Sequence, residues 1–290
     1  MTEPIPRPLA SPADVAARLS DPALVVVDVR HDLAQPDSWG EAQYRAGHVP
    51  GALFAHIDRD LSAAKTGRNG RHPLPSVNEA EALFSRLGVD AGKQVVAYDQ
   101  GGGMFAARLW WMLRWLGHDA VAVLDGGFDR WVREGRPVQT EVRVPQPAAF
   151  AARSIGAIVN AERLIEQLSR PHYVLVDARV PERYRGEVEP LDPVAGHIPG
   201  ALNRPYGSNL TAAGTFKPAD VLREEFARML GDTPLEEVVH YCGSGVTACH
   251  NALAMEAAGL PGTRIYPGSW SEWVSDPARP VAVGDEGDGR

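Results

Sequence analysis

The run Val238-Val239-His240-Tyr241-Cys242-Gly243-Ser244-Gly245-Val246-Thr247-Ala248 reads as a β-branched strand that stops at a cysteine. Small residues follow, and then a helical stretch from Ala248 to Ala258. A cysteine held between a strand end and a helix start has backbone N–H groups converging on its sulfur. Those amides and the positive end of the helix dipole favour the thiolate, which is the nucleophilic form. The glycines Gly243 and Gly245 allow φ > 0 and the close approach of a bound anion. A free cysteine ending a strand can equally be a small buried hydrophobe, so the loop alone leaves both readings open.

Working outward, the same landmarks occur twice at an offset of about 145 residues. Leu24-Val25-Val26-Val27-Asp28-Val29-Arg30 answers to Tyr173-Val174-Leu175-Val176-Asp177-Ala178-Arg179. Gly47-His48-Val49-Pro50-Gly51-Ala52 answers to Gly196-His197-Ile198-Pro199-Gly200-Ala201. Gln94–Asp99 answers to Glu237–Cys242, and Asp125–Trp131 to Pro267–Trp273. Landmarks in one order at so long a period indicate a duplicated domain rather than a solenoid. Length agrees, because 290 residues suit about two domains. The expected boundaries are 9–137 for the first domain, 138–157 for a linker without clear period, and 158–280 for the second.

Within the first repeat, Val25–Val29, Val95–Tyr98 and Val121–Leu124 read as strands. Asn78–Leu87, Phe105–Leu116 and Phe128–Glu134 read as helices. Continuous Val-rich runs separated by helices predict an α/β fold in which each domain is a mainly parallel sheet with helices on both faces. The Gly-His-x-Pro-Gly-Ala segments read as scaffold: glycine and proline fix a turn, and His48 or His197 bonds the nearby backbone. Trp131 and Trp273 read as packing residues. The tail Gly284–Arg290 is polar and expected to be disordered.

Composition excludes several classes. A net charge of −8 offers no basic stripe for nucleic acid. No apolar run approaches the ~18 residues a membrane span needs, and Met1-Thr2-Glu3-Pro4 lacks the basic and apolar regions of a secretory signal. A soluble, cytoplasmic protein is expected. The two cysteines, Cys242 and Cys249, are poorly placed for a structural disulfide, and scattered histidines beside them do not make a zinc site. No metal and no cofactor is expected, and Cys249 reads as a packing residue.

The repeats differ where chemistry would sit. Asp99 stands where the second repeat has Cys242, and a carboxylate cannot do thiol chemistry. The first repeat therefore reads as non-catalytic scaffold and the second as the carrier of the nucleophile.

The duplicated architecture, the Gly-His-x-Pro-Gly-Ala turns, the terminal Gly268-Ser269-Trp270-Ser271-Glu272-Trp273 and the loop from Cys242 to Thr247 together resemble the tandem rhodanese sulfurtransferases, over roughly residues 9–280. Gly243-Ser244 after the cysteine is similar to the 3-mercaptopyruvate branch. Thiosulfate-preferring relatives typically carry Arg and Lys at those positions. The resemblance implies that Cys242 takes a sulfane sulfur as a persulfide and passes it to cyanide, a small thiol or thioredoxin. Gly243, Gly245, Val246 and Thr247 would cradle that sulfur. It also implies a proton relay of Ser244, His72 and Asp58, drawing two members from the first repeat. Taken singly, Ser244 reads as a small loop residue, His72 as a turn histidine and Asp58 as a helix N-cap.

Arg183 matches the arginine that holds substrate anions in both branches. The mercaptopyruvate branch usually has a second arginine after Glu-Pro, whereas Glu189-Pro190 is followed here by Leu191. Arg185 is one substitute; thiosulfate as donor is the other reading. A phosphatase on the same fold would need a longer loop with arginine six residues after the cysteine, where Ala248 stands. A non-catalytic sulfur carrier would have no need of Cys242 in so complete a loop.

Overall fold

A computed structural model describes residue 5 and residues 7–285. The part of the tail beyond Asp285, expected above to be disordered, lies outside the described residues. The chain forms two compact units. The first holds the described residues of Met1–Ala63 with Pro75–Gly156 and Ala212–Phe216; the second holds Ala64–Leu74, Ala157–Thr211 and the rest from Lys217. Residues 64–74 thus lie in the first repeat by sequence and in the second unit by structure.

The first unit runs β1 (Leu9–Ala10), α1 (Pro12–Ala16), β2 (Leu24–Asp28), α2 (Trp39–Ala46), β3 (Leu53–Phe54), α3 (Val77–Arg86), β4 (Gln94–Tyr98), α4 (Ala106–Trp115), β5 (Val121–Leu124) and α5 (Gly127–Arg133). Its sheet has the order β1-β5-β4-β2-β3, with every pair parallel. Every residue of β2, β4 and β5 is buried, which explains why these strands read as unbroken apolar runs: helices cover both faces. The helix starts are written locally. Ser11 and Ser76 each close a capping box with the acidic residue three positions on, Asp14 and Glu79, each worth about 1 kcal/mol.

The second unit runs α6 (Ala161–Ser169), β6 (Val174–Asp177), α7 (Pro181–Tyr184), β7 (Leu202–Asn203), α8 (Ala219–Leu230), β8 (Val238–Tyr241), α9 (Thr247–Ala257), β9 (Arg264–Ile265) and α10 (Ser269–Trp273). Its sheet, β7-β6-β8-β9, is again all parallel. Both units are the parallel α/β layers expected. The sequence-read boundaries of the long strands and helices of the first repeat fall within two residues of the observed ones, and residues 140–157 carry no helix or strand.

The repeated landmarks form one device. Arg30 donates through Nε and Nη2 to both oxygens of the Asp28 carboxylate and through Nη2 to the Gly47 carbonyl, the last at 2.6 Å. Arg179 does the same to Asp177 and to the Gly196 carbonyl, at 2.7 Å. In each unit a buried ion pair at a strand end therefore grips the glycine that opens the Gly-His-x-Pro-Gly-Ala turn. Removing one partner of such a pair costs about 3–5 kcal/mol, because a charge is left buried. The turn histidines hold backbone, as expected. His48 Nδ1 lies 2.7 Å from the Tyr44 carbonyl, and His197 Nδ1 lies 2.8 Å from that of Tyr184. Trp131 and Trp273 are fully buried, and their indole N–H groups donate to the Pro137 and Pro280 carbonyls.

Candidate active site

Cys242 follows β8, at the carboxyl end of a strand flanked by β6 and β9, where open parallel sheets present their ligands. Residues Gly243–Val246 form the turn, and α9 starts at Thr247. The Gly245 N–H donates to Cys242 Sγ at 3.1 Å. Gly245 has φ +79°, and a Cβ there would collide with the Pro267 carbonyl oxygen, so glycine is required. Among the described residues no acceptor meets the N–H groups of Gly243, Ser244 and Val246. Cys242 is 2% exposed.

The α10 segment braces the loop from below. Trp270 N–H donates to the Cys242 carbonyl and Ser271 N–H to that of Gly243, both at 2.9 Å. The Cys242 N–H donates to Ser269 Oγ at 3.1 Å, and that hydroxyl donates to the Tyr266 carbonyl. Ser269 holds this pose at φ +54°, a sparsely populated conformation for a non-glycine residue. Cys249, in the first turns of α9, is fully buried and its thiol faces the Gly245 carbonyl at 3.3 Å. His240, two residues before Cys242, is fully buried. Burial lowers its pKa to about 3, so it is neutral at pH 7 and adds no charge to the strand that leads to Cys242.

Two expected site residues meet. His72 Nδ1 lies 2.7 Å from Ser244 Oγ, and both side chains are largely buried. His72 reaches the loop because residues 64–74 belong to the second unit. Asp58 belongs to the first unit: its carboxylate lies 3.7 Å from His31 Nε2 and its N–H donates to His56 Nδ1 at 3.1 Å.

Arg183 stands at the end of α7, where Nη2 donates to Glu189 Oε1 at 2.6 Å and to Asp192 Oδ2 at 3.3 Å. Arg185 lies on Glu187 instead, at 2.7 Å. Leu191 is half exposed. Its N–H donates to Glu189 Oε1, so it serves the cluster through its backbone. The residue that sequence reading passed over is Arg71. Its Nη1 pairs with Asp192 Oδ1, its N–H donates to Ser271 Oγ at 3.0 Å, and a Cβ built on Gly243 would stand 2.7 Å from Arg71 Nη2. The available signal was its place directly before His72.

In the first unit the corresponding turn holds Asp99, fully buried. Its carboxylate accepts N–H groups from Gly101, Gly103, Phe105 and Ala106 at 2.7–3.2 Å. Burial raises its pKa to about 6, against the lowering effect of those four amides. A cavity of about 730 Å³ near this turn is lined by Arg30, His31, Gln100 and Asp129 among others.

The rhodanese-like domain pattern matches residues 11–134 and 160–276. The chain is 47% identical over 280 residues to the probable 3-mercaptopyruvate sulfurtransferase of Pseudomonas aeruginosa, covering 96% of this chain and 98% of that protein. It is 40% identical over 265 residues to the putative thiosulfate sulfurtransferase SseB of Mycobacterium tuberculosis, covering 89% and 90%. The fold is similar to the crystal structure of the 3-mercaptopyruvate sulfotransferase SseA from Escherichia coli, with a TM-score of 0.79 and 31% identity over 91% of this chain and 98% of that one. Among the described residues, no helix is long and apolar enough to cross a membrane.

Proposed function

The chain belongs to the rhodanese-like domain family, and on that premise we propose that it is a sulfurtransferase that takes sulfur from 3-mercaptopyruvate onto Cys242. The observation that carries this reading is the Cys242 turn, with an amide on the sulfur and the Ser244–His72 hydrogen bond two residues on.

The Cys242 thiolate attacks the sulfur of 3-mercaptopyruvate. The new S–S bond forms as the donor's C–S bond breaks, and the electron pair leaves as pyruvate enolate. The enolate needs one proton at carbon to become pyruvate. Ser244 hydroxyl and His72 supply it, since the hydrogen-bonded pair can pass a proton towards the leaving carbon. The persulfide so formed loses its proton and becomes an anion. The amides of Gly243, Ser244 and Val246, with the start of α9 at Thr247, are the donors for that second sulfur. Cyanide, a small thiol or thioredoxin as its thiolate then attacks the outer sulfur. The S–S bond breaks, and Cys242 returns as thiolate. Arg183 holds the donor carboxylate. The first repeat, residues 9–137, is the non-catalytic partner, since Asp99 offers no thiol, with residues 138–157 as linker to the catalytic domain, 158–280. A cytoplasmic setting, where thiols stay reduced, suits the two free cysteines.

Thiosulfate is the second donor reading. It is favoured by Leu191, which supplies no cation after Glu189-Pro190. Side-by-side kcat/KM with 3-mercaptopyruvate and thiosulfate, with cyanide as acceptor, decides between them. The expected result is a higher kcat/KM for 3-mercaptopyruvate, and mass spectrometry of the donor-treated enzyme should place one added sulfur atom on Cys242. An added sulfur elsewhere, or transfer that survives loss of Cys242, would sink the reading.

A further inference from the structure

We infer that the cavity beside the Asp99 turn of the first unit is a binding site for an aromatic α-amino acid. Arg30 takes its carboxylate, and Asp32 and Asp129 take its ammonium group. None of these residues has a part in the chemistry proposed at Cys242.

The cavity, of about 730 Å³, lies at the carboxyl ends of β2, β4 and β5. Its lining comes from the segments that follow those strands: Arg30 and Asp32, then Phe105, then Phe128 and Asp129. Open parallel sheets present ligands at this end, and the volume suits a small organic molecule. Trp39, at the start of α2, joins Phe105 and Phe128 in the lining. Three aromatic rings favour an aromatic partner.

The charges single out the ligand. In the second unit Arg179 uses its whole guanidinium. Nε and Nη2 hold Asp177 and the Gly196 carbonyl, and Nη1 donates to Glu189 Oε2 at 3.2 Å. Arg30 makes the matching bonds through Nε and Nη2, but no described residue accepts from its Nη1. Arg30 is only 4% exposed, yet Nη1 is not sealed in the core, so it opens on the cavity that Arg30 lines. Phe128 holds the guanidinium in place, with its ring centroid 4.1 Å from Cζ. A nearly buried guanidinium edge without an acceptor calls for a carboxylate, which gives a strong charge-assisted bond. The lining also carries two acids. The Asp129 carboxylate accepts no hydrogen bond among the described residues. It lies against the Asp99 turn, where a Cβ on Gly101 would stand 3.2 Å from its Oδ2. Asp32 accepts the Ala34 N–H through Oδ1 and has Oδ2 left over. A plain anion would be repelled by these two carboxylates, and an organic cation would leave Arg30 Nη1 unmet. A zwitterion with an aromatic side chain satisfies all three groups and the rings.

Arg30 also holds its turn through Asp28 and Gly47, so the test leaves it in place and changes the ligand instead. The full-length protein is titrated in a calorimeter with L-phenylalanine, with hydrocinnamate, which lacks the ammonium group, and with phenethylamine, which lacks the carboxylate. L-Phenylalanine should bind, and each analogue should bind at least about tenfold more weakly. Asp129 is exposed, and Asp129→Asn should weaken L-phenylalanine about tenfold while leaving hydrocinnamate within about twofold. A general loss of fold would not give that split. Should Asp129→Asn not fold, as judged by circular dichroism, Asp32→Asn takes its place with the same expected split. Cys242→Ser should bind L-phenylalanine as the unaltered protein does. No saturable binding of L-phenylalanine up to about 10 mM overturns the proposal. So does equal affinity for L-phenylalanine and hydrocinnamate, or an unchanged affinity in the folded aspartate variant. Binding that disappears in Cys242→Ser would put the amino acid at the Cys242 turn and overturn it too.

Discussion

The turns after β4 and β8 are built on one frame and hold opposite chemistries. In the first, Phe128 and Asp129 N–H groups bond the Asp99 and Gln100 carbonyls; in the second, Trp270 and Ser271 bond those of Cys242 and Gly243, all at 2.9 Å. What differs is who occupies the ring of amides. Asp99 brings its own acceptor and takes four N–H groups with two oxygens. Cys242 brings one sulfur, bonded by Gly245, and the amides of Gly243, Ser244 and Val246 meet no acceptor among the described residues. The same turn is filled by its own side chain in one repeat and leaves main-chain donors without an acceptor in the other, among the described residues. A duplicated fold can thus exchange the residue at the centre of this turn and keep the frame, because the frame is main chain.

The comparison can be broken most directly by rewriting the second turn as the first. Cys242→Asp should keep the fold by circular dichroism and reduce sulfur transfer to cyanide more than about 100-fold from every donor; retained transfer would remove Cys242 from the nucleophile's role. Next in size is the proton path, which the Asp99 turn has no need of. His72→Ala and Ser244→Ala should each lower kcat with 3-mercaptopyruvate by roughly 10–100-fold and lower turnover of thiosulfate by much less, since only an enolate needs a proton at carbon. Equal losses on both donors would argue against a relay.

A third test compares glycines at positive φ. Gly245→Ala drives a methyl group into the Pro267 carbonyl at φ +79°, whereas Gly103→Ala in the first turn, at φ +82°, meets side-chain carbons no closer than 3.4 Å. Both variants carry backbone strain of about 1–3 kcal/mol, and Gly245→Ala should show the larger fall in urea midpoint. Equal falls would mean that the second turn is no tighter than the first.

The smallest effect concerns Asp99 and pH. Its carboxyl is raised from 3.8 to about 6 by burial, so the folded state holds this proton more tightly than the unfolded chain does. Its contribution to stability is greatest below about pH 4 and is lost as pH rises through about 6. Asp99→Asn should remove that part of the slope across the window in urea titrations at stepped pH. An unchanged slope would show that Asp99 titrates alike in both states.

Much of this was written in short stretches. The Val-rich strands are legible because parallel strands covered on both faces need an apolar residue at every position. The repeat is legible because Asp28 and Arg30, or Asp177 and Arg179, grip a backbone glycine within about 20 residues, and such local devices leave local signatures. The contrast of Asp99 with Cys242 needed nothing beyond placing one repeat on the other.

The arrangement of the cations was not legible. Arg71 and Cys242 stand 171 positions apart, and no periodicity links a surface-type arginine to a loop it meets only after folding. Sequence reading looked for the second arginine near Leu191 and considered Arg185, but Arg185 lies on Glu187. Arg71 is fixed by Asp192 and Ser271, two polar partners that can be found only when the chain is folded. Ser269 was equally hidden, because a hydroxyl that accepts the Cys242 N–H at φ +54° looks in sequence like any small helix-start residue. The chain's own order of residues determined the fold class and the duplication, and it placed a cysteine in the turn after β8, since each rests on backbone geometry and short-range spacing. Only the tertiary structure decided which charged groups lie near that cysteine, since guanidinium and carboxylate find one another through space, independent of their separation along the chain.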